Sequence, residues 1–471
     1  MYYCFMSQFA ESLRHNQFCI LVEYLANTAE DTPPIQQLAG FPCYMTLADR
    51  VQNDDDRAPI EVAQQYPQDT DKVLHYAGKG RDITDFRKFL DLASRAKYHN
   101  LLLLTGDRLK QHQYGDASSP EQRTRYLESV NAVREAKQHG GFCIGVAFNP
   151  YKYLEAEKEA QYLKLHKKIK AGADYIITQL GYDLNALKQA QSFLQTHQYT
   201  NHLLACVMPL SLARAKFMLK HQVAGVVITP HMIDVLEREK QANQQHQVYI
   251  RCALQILMCK HLGFAGVHLS ACHKYNEQKR LEQYIQAYQH LDLASCEALW
   301  NELWQVTTGQ EFEPQIQQYA AHPSRLEVLK YQQMHIMHDL LFDSKLAKGV
   351  GSFIFKSRIW TKALPSKALL KSEFLSKHQV IGCESCGQCR IADTLYICPE
   401  TCPKGLANGP CGGTTLDRCE FGDRECIHSV KARLAKAVEQ TQVLKEKLIP
   451  TVPIEVRGTS SWKNWYLATE A

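Results

Sequence analysis

Eight of the chain's seventeen cysteines fall between Cys383 and Cys426, in the pattern Cys383-x2-Cys386-x2-Cys389-x8-Cys398-x3-Cys402-x8-Cys411-x7-Cys419-x6-Cys426. Eight thiolates are enough for two four-ligand metal centres. The run Cys383, Cys386, Cys389 presents three thiolates from one loop, which suits three irons of a cube. A tetrahedral zinc site more often takes two ligands from each of two tight turns. Cys398-Pro399 and Cys402-Pro403 add the proline that follows a remote ligand in ferredoxins. Asn408-Gly409-Pro410-Cys411-Gly412-Gly413 is a glycine-rich turn whose N–H groups can face an anionic cluster. Iron–sulfur is the favoured reading, structural zinc the alternative and a disulfide knot the bland one. The nine other cysteines (Cys4, Cys19, Cys43, Cys143, Cys206, Cys252, Cys259, Cys272, Cys296) are scattered, mostly in apolar runs, as reduced buried cysteines are.

A second group of candidates stands where short apolar runs end. Glu23 follows Cys19-Ile20-Leu21-Val22. Burial there would raise its pKa and make it a general acid near neutral pH; an ion pair with a lysine is the equally weighted alternative. Thr46 and His75 close the next two runs. Leu104-Thr105-Gly106-Asp107 sets a carboxylate beside a glycine that lets the backbone approach a planar ligand. Phe148-Asn149-Pro150 ends another run. Lys167 and Lys168 are a phosphate contact or a solvated face, Gln179 a partner for a heteroaromatic ring or a satisfied core amide, and Ser211 a ligand contact or a helix N-cap.

Eight apolar runs must position these residues: Phe18–Tyr24, Phe41–Leu47, Lys72–Tyr76, Leu101–Thr105, Phe142–Phe148, Asp174–Gln179, His202–Met208 and Phe264–Ser270. They are apolar on both faces, as buried parallel strands must be. Amphipathic stretches such as Thr84–Lys97, Glu155–Lys170, Leu184–Thr196 and Ser211–His221 lie between them. The alternation predicts a (β/α)8 TIM barrel over residues 1–280, with its chemistry at the strand ends. Gly225–Thr229 is read as a short segment inside an enlarged last crossover. Residues 281–345 read as a helical bridge, with Trp300, Trp304, Tyr319 and Tyr331 packing it to the barrel. Residues 346–377 read as a linker, and 378–471 as a small cysteine-rich, metal-binding domain with a helix over Ser429–Leu448.

At 471 residues and 45 % apolar content, the chain can build one large core and a smaller one. The net charge of +5 comes without a lysine or arginine block, so nucleic acid is not expected. Met1 to Arg14 lacks a leader pattern and no run approaches a membrane span, so a cytoplasmic protein without membrane contact is expected.

Val22-Glu23, Leu104-Thr105-Gly106-Asp107 and Lys168-Ile169-Lys170-Ala171-Gly172-Ala173-Asp174 leading to Ile177-Thr178-Gln179 resemble the methylenetetrahydrofolate reductase family. Cys398-Pro399, Cys402-Pro403-Lys404 and Asn408–Gly413, with His338-Asp339-Leu340-Leu341-Phe342 before them, resemble the cysteine-rich C-terminal domain of one branch of it. The resemblance implies a flavin-dependent barrel that reduces a folate-bound methylene group to a methyl group. It makes Glu23 the general acid and places Asp107 near flavin and folate. Gln179 would bind the pterin and Lys274 the folate tail. Thr46, His75, Gly106, Phe148 and Lys168 would hold FAD or FMN, with Lys168 near its phosphate. Electrons would come from NAD(P)H or a redox protein, and a homo-oligomer is left open. Three places depart from the family pattern: Thr105 stands for an arginine, Gln161 for an aspartate, and Ser270-Ala271-Cys272-His273-Lys274 lacks an Asn-Arg pair.

Overall fold

The computed structural model describes residues 7–25, 34–50, 56–108, 126–315, 321–422 and 424–468. Eight parallel strands form a closed barrel: β1 (Cys19–Tyr24), β2 (Phe41–Leu47), β3 (Lys72–Ala77), β4 (Asn100–Leu104), β5 (Cys143–Phe148), β6 (Tyr175–Leu180), β7 (His202–Val207) and β8 (Gly266–Leu269). These are the eight expected runs. Closure is set by β1, which pairs with β2 through Glu23 and Thr46 and with β8 through Cys19 and Gly266. Strands buried on both sides satisfy every backbone group in the ladder, and helices cover their outer faces. Tyr175 crosses the interior, its hydroxyl donating to Leu101 O at 2.8 Å.

The helices begin where short polar side chains can cap them. Asp82 forms a capping box for Ile83–Arg95, and Asp183 caps Leu184–Thr196. Ser211 is an N-cap, its Oγ accepting from Arg214 N at 3.3 Å. Gly225–Thr229 is not a strand. It lies in the β7–β8 crossover with the helices Leu212–His221, Pro230–Gln241 and Gln247–His261. Trp300 and Trp304 are fully buried in the barrel's main core, as expected, and Arg251 lies over the Trp304 ring at 4.2 Å. Tyr331 packs instead against the cysteine domain, and Tyr319 lies outside the described residues.

Residues 346–377 are helical rather than an irregular linker: Lys345–Phe355 and Ala363–Ile381 flank a short turn of helix at Arg358–Thr361. Alanine, leucine and lysine are strong helix formers, and they outweigh the glycines here. The helix expected over Ser429–Leu448 starts at Ile427 and breaks after Ala437, with Glu439 in a left-handed conformation. Among the described residues no helix is long and apolar enough to cross a membrane.

Candidate functional site

The C-terminal mouth of the barrel gathers polar side chains from β1, β2, β3, β7 and β8. Thr46 Oγ1 and His75 Nε2 share a hydrogen bond at 2.5 Å, and the His75 ring lies 5.8 Å from that of His268. His268 Nδ1 is 3.3 Å from Ser270 Oγ and 3.6 Å from Cys206 Sγ. Burial, then the neighbouring His268, pushes His75 well below the usual imidazole value. Burial also lowers His268, against the pull of Glu23. Both rings are therefore neutral at pH 7. His268 Nε2 is buried and has no hydrogen-bond partner among the described residues. Such an orphan atom beside a half-buried carboxylate marks a place for a polar ligand. Together, Glu23 and the neutral imidazoles can hold and move a proton there.

The cysteine domain is seated on this same end of the barrel. Glu128, fully enclosed, pairs with Lys164 at 2.9 Å and accepts hydrogen bonds from Ala407 N, Asn408 N and Asn408 Nδ2. Burial alone would raise its pKa, but Lys164 and these donors hold it below the usual carboxylate value. Lys164 Nζ also donates to Gly409 O at 3.0 Å. Asn149 Nδ2 bridges Gly225 O and Gly412 O at 2.9 and 2.8 Å. Gly225 has φ +72°, and a Cβ there would stand 2.3 Å from Gly412 O, so only glycine permits this approach. Lys404 Nζ donates to Gly106 O at 2.7 Å and pairs with Glu420 at 2.5 Å. Glu420 in turn accepts from Arg108 N and from Cys411 Sγ.

The eight cysteines fall into two groups. Cys383, Cys386, Cys389 and Cys398 line one cavity with Ile381 and Ile391. Cys402 and Cys411 pack together with Leu406 and Tyr126, and they act electrostatically on Cys426. Cys419 stands on the adjoining hairpin, its N–H donating to Arg424 O while Cys426 N donates to Asp417 O. Backbone N–H groups point at the sulfurs, Ser385 at Cys383, Glu400 at Cys398, Gly413 at Cys411, and His428 and Ser429 at Cys426, while Cys386 Sγ donates to Gln388 O at 3.1 Å. Burial nevertheless pushes Cys386 up to about 11 and Cys411 up to about 12.

Buried sulfurs ringed by N–H donors are equipped to be thiolates once a metal supplies positive charge. Among the described residues no three of these sulfurs lie mutually within 4.8 Å. The compact ligand group found among the described residues is His338, Asp339 and Asp343. Lys348 also takes Asp343, at 3.2 Å, which makes this group an ion-pair network.

The other residues singled out by sequence are distributed around the mouth. Gly106 and Asp107 lie on the side covered by the cysteine domain. Desolvation and Glu420 raise the Asp107 pKa against Lys404 and Lys79, although the residue keeps exposed surface. Gln179 spends its amide on Ala224 O at 3.1 Å and Leu180 N at 2.8 Å. Lys168 donates to Ala147 O at 2.5 Å inside the wall, and Phe148 packs outward on Tyr162. Lys274 is an exposed residue at the N-cap of Tyr275–Tyr288. Sequence reasoning missed Cys206 and His268: His75 was picked as a polar residue closing an apolar run, and Cys206 and His268 stand inside theirs. It also missed Glu128 and Lys164, which have no local motif, and it named Asn408 only as the start of the glycine-rich turn.

Two family models match the chain. One, described as methylenetetrahydrofolate reductase, covers residues 34–283, and one described as the methylene-tetrahydrofolate reductase C terminal covers residues 365–454. Methylenetetrahydrofolate reductase 1 of Schizosaccharomyces pombe is 26 % identical over 228 residues, which are 48 % of this chain and 36 % of that protein. Methylenetetrahydrofolate reductase 2 of the same yeast is 29 % identical over 133 residues, 26 % of this chain and 20 % of that protein. The chain thus spans about a third or less of the length of these curated relatives. A Clostridium thermocellum protein described as binding two copies of 5-methyl-5,6,7,8-tetrahydrofolic acid aligns with a TM-score of 0.40 at 13 % identity. That alignment covers 59 % of this chain and 98 % of that one, and a likeness so distant carries no argument.

Proposed function

Because the chain belongs to the methylenetetrahydrofolate reductase family, we propose that it reduces 5,10-methylenetetrahydrofolate to 5-methyltetrahydrofolate with a bound flavin, fed by iron–sulfur clusters in its cysteine domain. The observation that carries the reading is the meeting of two features at one end of the barrel. The orphan His268 Nε2 stands among Glu23, Thr46, His75 and Ser270, and the Cys402/Cys411/Cys426 group is seated against Gly106-Asp107 through Lys404 and Glu420.

A reduced flavin, when bound, supplies hydride to the methylene carbon. The chain's own residues handle the proton and the fit. Glu23 gives a proton to the folate nitrogen that releases the methylene bridge, and the neutral His75 and His268 accept or donate hydrogen bonds without competing for that proton. Thr46 fixes the His75 ring. Cys383, Cys386, Cys389 and Cys398 would hold an outer cluster, and Cys402, Cys411, Cys419 and Cys426 an inner one. Gly106 would stand beside the flavin and Lys274 at the folate tail, as the family resemblance implies, whereas Phe148 does not take the flavin contact expected of it, because its ring packs outward on Tyr162. The phosphate contact expected of Lys168 must instead come from elsewhere, since its Nζ is bonded to Ala147 O.

A second reading is a folate-binding barrel for methyl transfer or demethylation, with zinc stapling the domain. One observation favours it: Lys168 and Gln179 spend their polar groups on the backbone. Flavin and metal analysis of anaerobically purified protein separates the two. Flavin absorbance near ~450 nm with iron is expected under the first reading; zinc without flavin or iron overturns it. In a flavin-loaded sample Glu23→Gln is expected to lower turnover by roughly 10²–10⁴-fold, the usual worth of a general acid.

A further inference from the structure

We infer that the helical region from Arg325 to Ile381 is the docking surface for an acidic, one-electron carrier protein. This inference rests on the reading of the cysteine domain as an electron relay.

The helix Lys345–Phe355 is inside out. Leu346, Val350, Phe353 and Ile354 follow the spacing i, i+4, i+7, i+8, so they form one stripe, and they are 78, 50, 83 and 45 % exposed. The buried side holds Gly351 and Ser352. Gly351 lies so close to the Tyr466 ring that a Cβ would meet it at 2.3 Å, and Phe355 stacks on the same ring. The helix is therefore anchored by its small face, with its apolar face left outward. Ile359 and Leu364, 49 and 82 % exposed, continue the apolar surface into the next elements. An exposed apolar tract of this kind marks an interaction site.

The charge around the stripe identifies what covers it. From Ser344 to Val380 the sequence holds eight lysines and arginines and a single carboxylate, Glu373. That carboxylate is buried and bound to Lys377 and Ser460. Lys348 and Lys377 are ion-paired with Asp343 and Glu373, yet a second copy laid on this face would still set an excess of cations against an excess of cations, which is unfavourable. The fitting partner has an apolar centre rimmed by carboxylates.

The position identifies the partner's chemistry. Ala363–Ile381 leads through Gly382 directly into Cys383, and Ile381 packs with Cys383 and Cys398. Tyr331 and Met334, from Arg325–His338, pack on the same group. A carrier docked where Arg325–His338 and the end of Ala363–Ile381 meet stands against the outer cysteine group, and the other group is tied to Gly106 at the barrel mouth through Lys404 and Glu420. Two such carriers, each oxidised by one electron, together with two protons, account for the conversion of one methylene to one methyl group. Carriers of this class use small, charge-steered interfaces.

The test uses the full chain, purified anaerobically, with a fluorescently labelled acidic bacterial-type ferredoxin as probe. Expected is saturable one-to-one binding at ~20 mM salt that weakens at least about tenfold at ~200 mM. Leu346→Ser with Phe353→Ser, and separately Lys362→Glu with Lys367→Glu, are expected to weaken binding at least tenfold. Circular dichroism and iron content should stay unchanged, because these side chains are exposed. Three outcomes overturn the inference: a wild-type chain that ignores ferredoxin, a chain that instead sediments with phosphatidylglycerol vesicles in a Phe353-dependent way, or a chain whose stripe closes a homodimer that Phe353→Ser dissociates. Iron-loaded protein that fails to bind sinks the docking surface alone. Iron-free protein that binds through the stripe upholds the surface and sinks the relay.

Discussion

The buried pair of Glu128 and Lys164 is the sharpest place to test how the barrel holds its cysteine domain. In Glu128→Gln, one amide oxygen still accepts from the Ala407 or Asn408 N–H, but Lys164 is left without its counter-charge in a site that excludes water. At an effective dielectric of about 20, unit charges 2.9 Å apart attract by about 6 kcal/mol. Desolvation cancels part of this, and breaking one half of a buried pair costs about 3–5 kcal/mol. With about 1.4 kcal/mol per decade, the amides of Ala407 and Asn408 should exchange with deuterium roughly 10²- to nearly 10⁴-fold faster, wherever exchange proceeds through undocking. Glu128→Met with Lys164→Met should recover much of the loss, because it removes both charges together. The pH dependence has a definite sign. The folded-state pKa of Glu128 lies below its ordinary value, so its stabilisation is complete above that ordinary value and is lost as pH falls through the folded one. Glu128→Gln should remove that part of the acid limb. Exchange at Ala407 and Asn408 accelerated by less than tenfold would refute the reasoning.

Three further outcomes are expected. His75 and His268 are held neutral below the ordinary imidazole value, so the unfolded chain binds more protons and stability should fall as pH drops below ~6.5; His75→Gln should flatten this slope in denaturant titrations between pH 7.5 and 5.5. Gly225→Ala places a methyl against Gly412 O in a left-handed backbone and should cost about 1–3 kcal/mol, read from urea midpoints and faster exchange of the 408–413 amides. Glu373→Ala deprives Lys377 and Ser460 of a buried acceptor; about 3 kcal/mol should be lost, seen as proteolytic release of the C-terminal helix Ser461–Ala468 at lower denaturant.

The barrel was legible in the sequence because its signal is local. Strands buried on both faces must be continuously apolar, and the helices between them must carry a stripe, so each unit announced itself without knowledge of its neighbours. The same holds for the cysteine pattern, where short covalent spacing limits which thiolates share a loop. Glu23, Thr46 and His75 were found by one rule, a polar residue ending an apolar run, and they do meet at the mouth.

What the sequence left undecided depended on distant partners. Lys164 and Lys168 lie four residues apart on one helix face, yet Lys164 faces the cysteine domain and Lys168 a strand carbonyl. Lys404 looks like Lys168 in sequence, and only Gly106, 298 positions away, settles its role. Residues 346–377 looked like a linker because charge and glycine suggest solvent. Their helix is fixed by Tyr466 packing on Gly351, a contact across more than a hundred residues. Local composition specified the parts and their chemistry. Burial, which sets the cost of every unpaired charge, belongs to the assembled fold, and it alone chose which polar groups serve the site and which hold the molecule together.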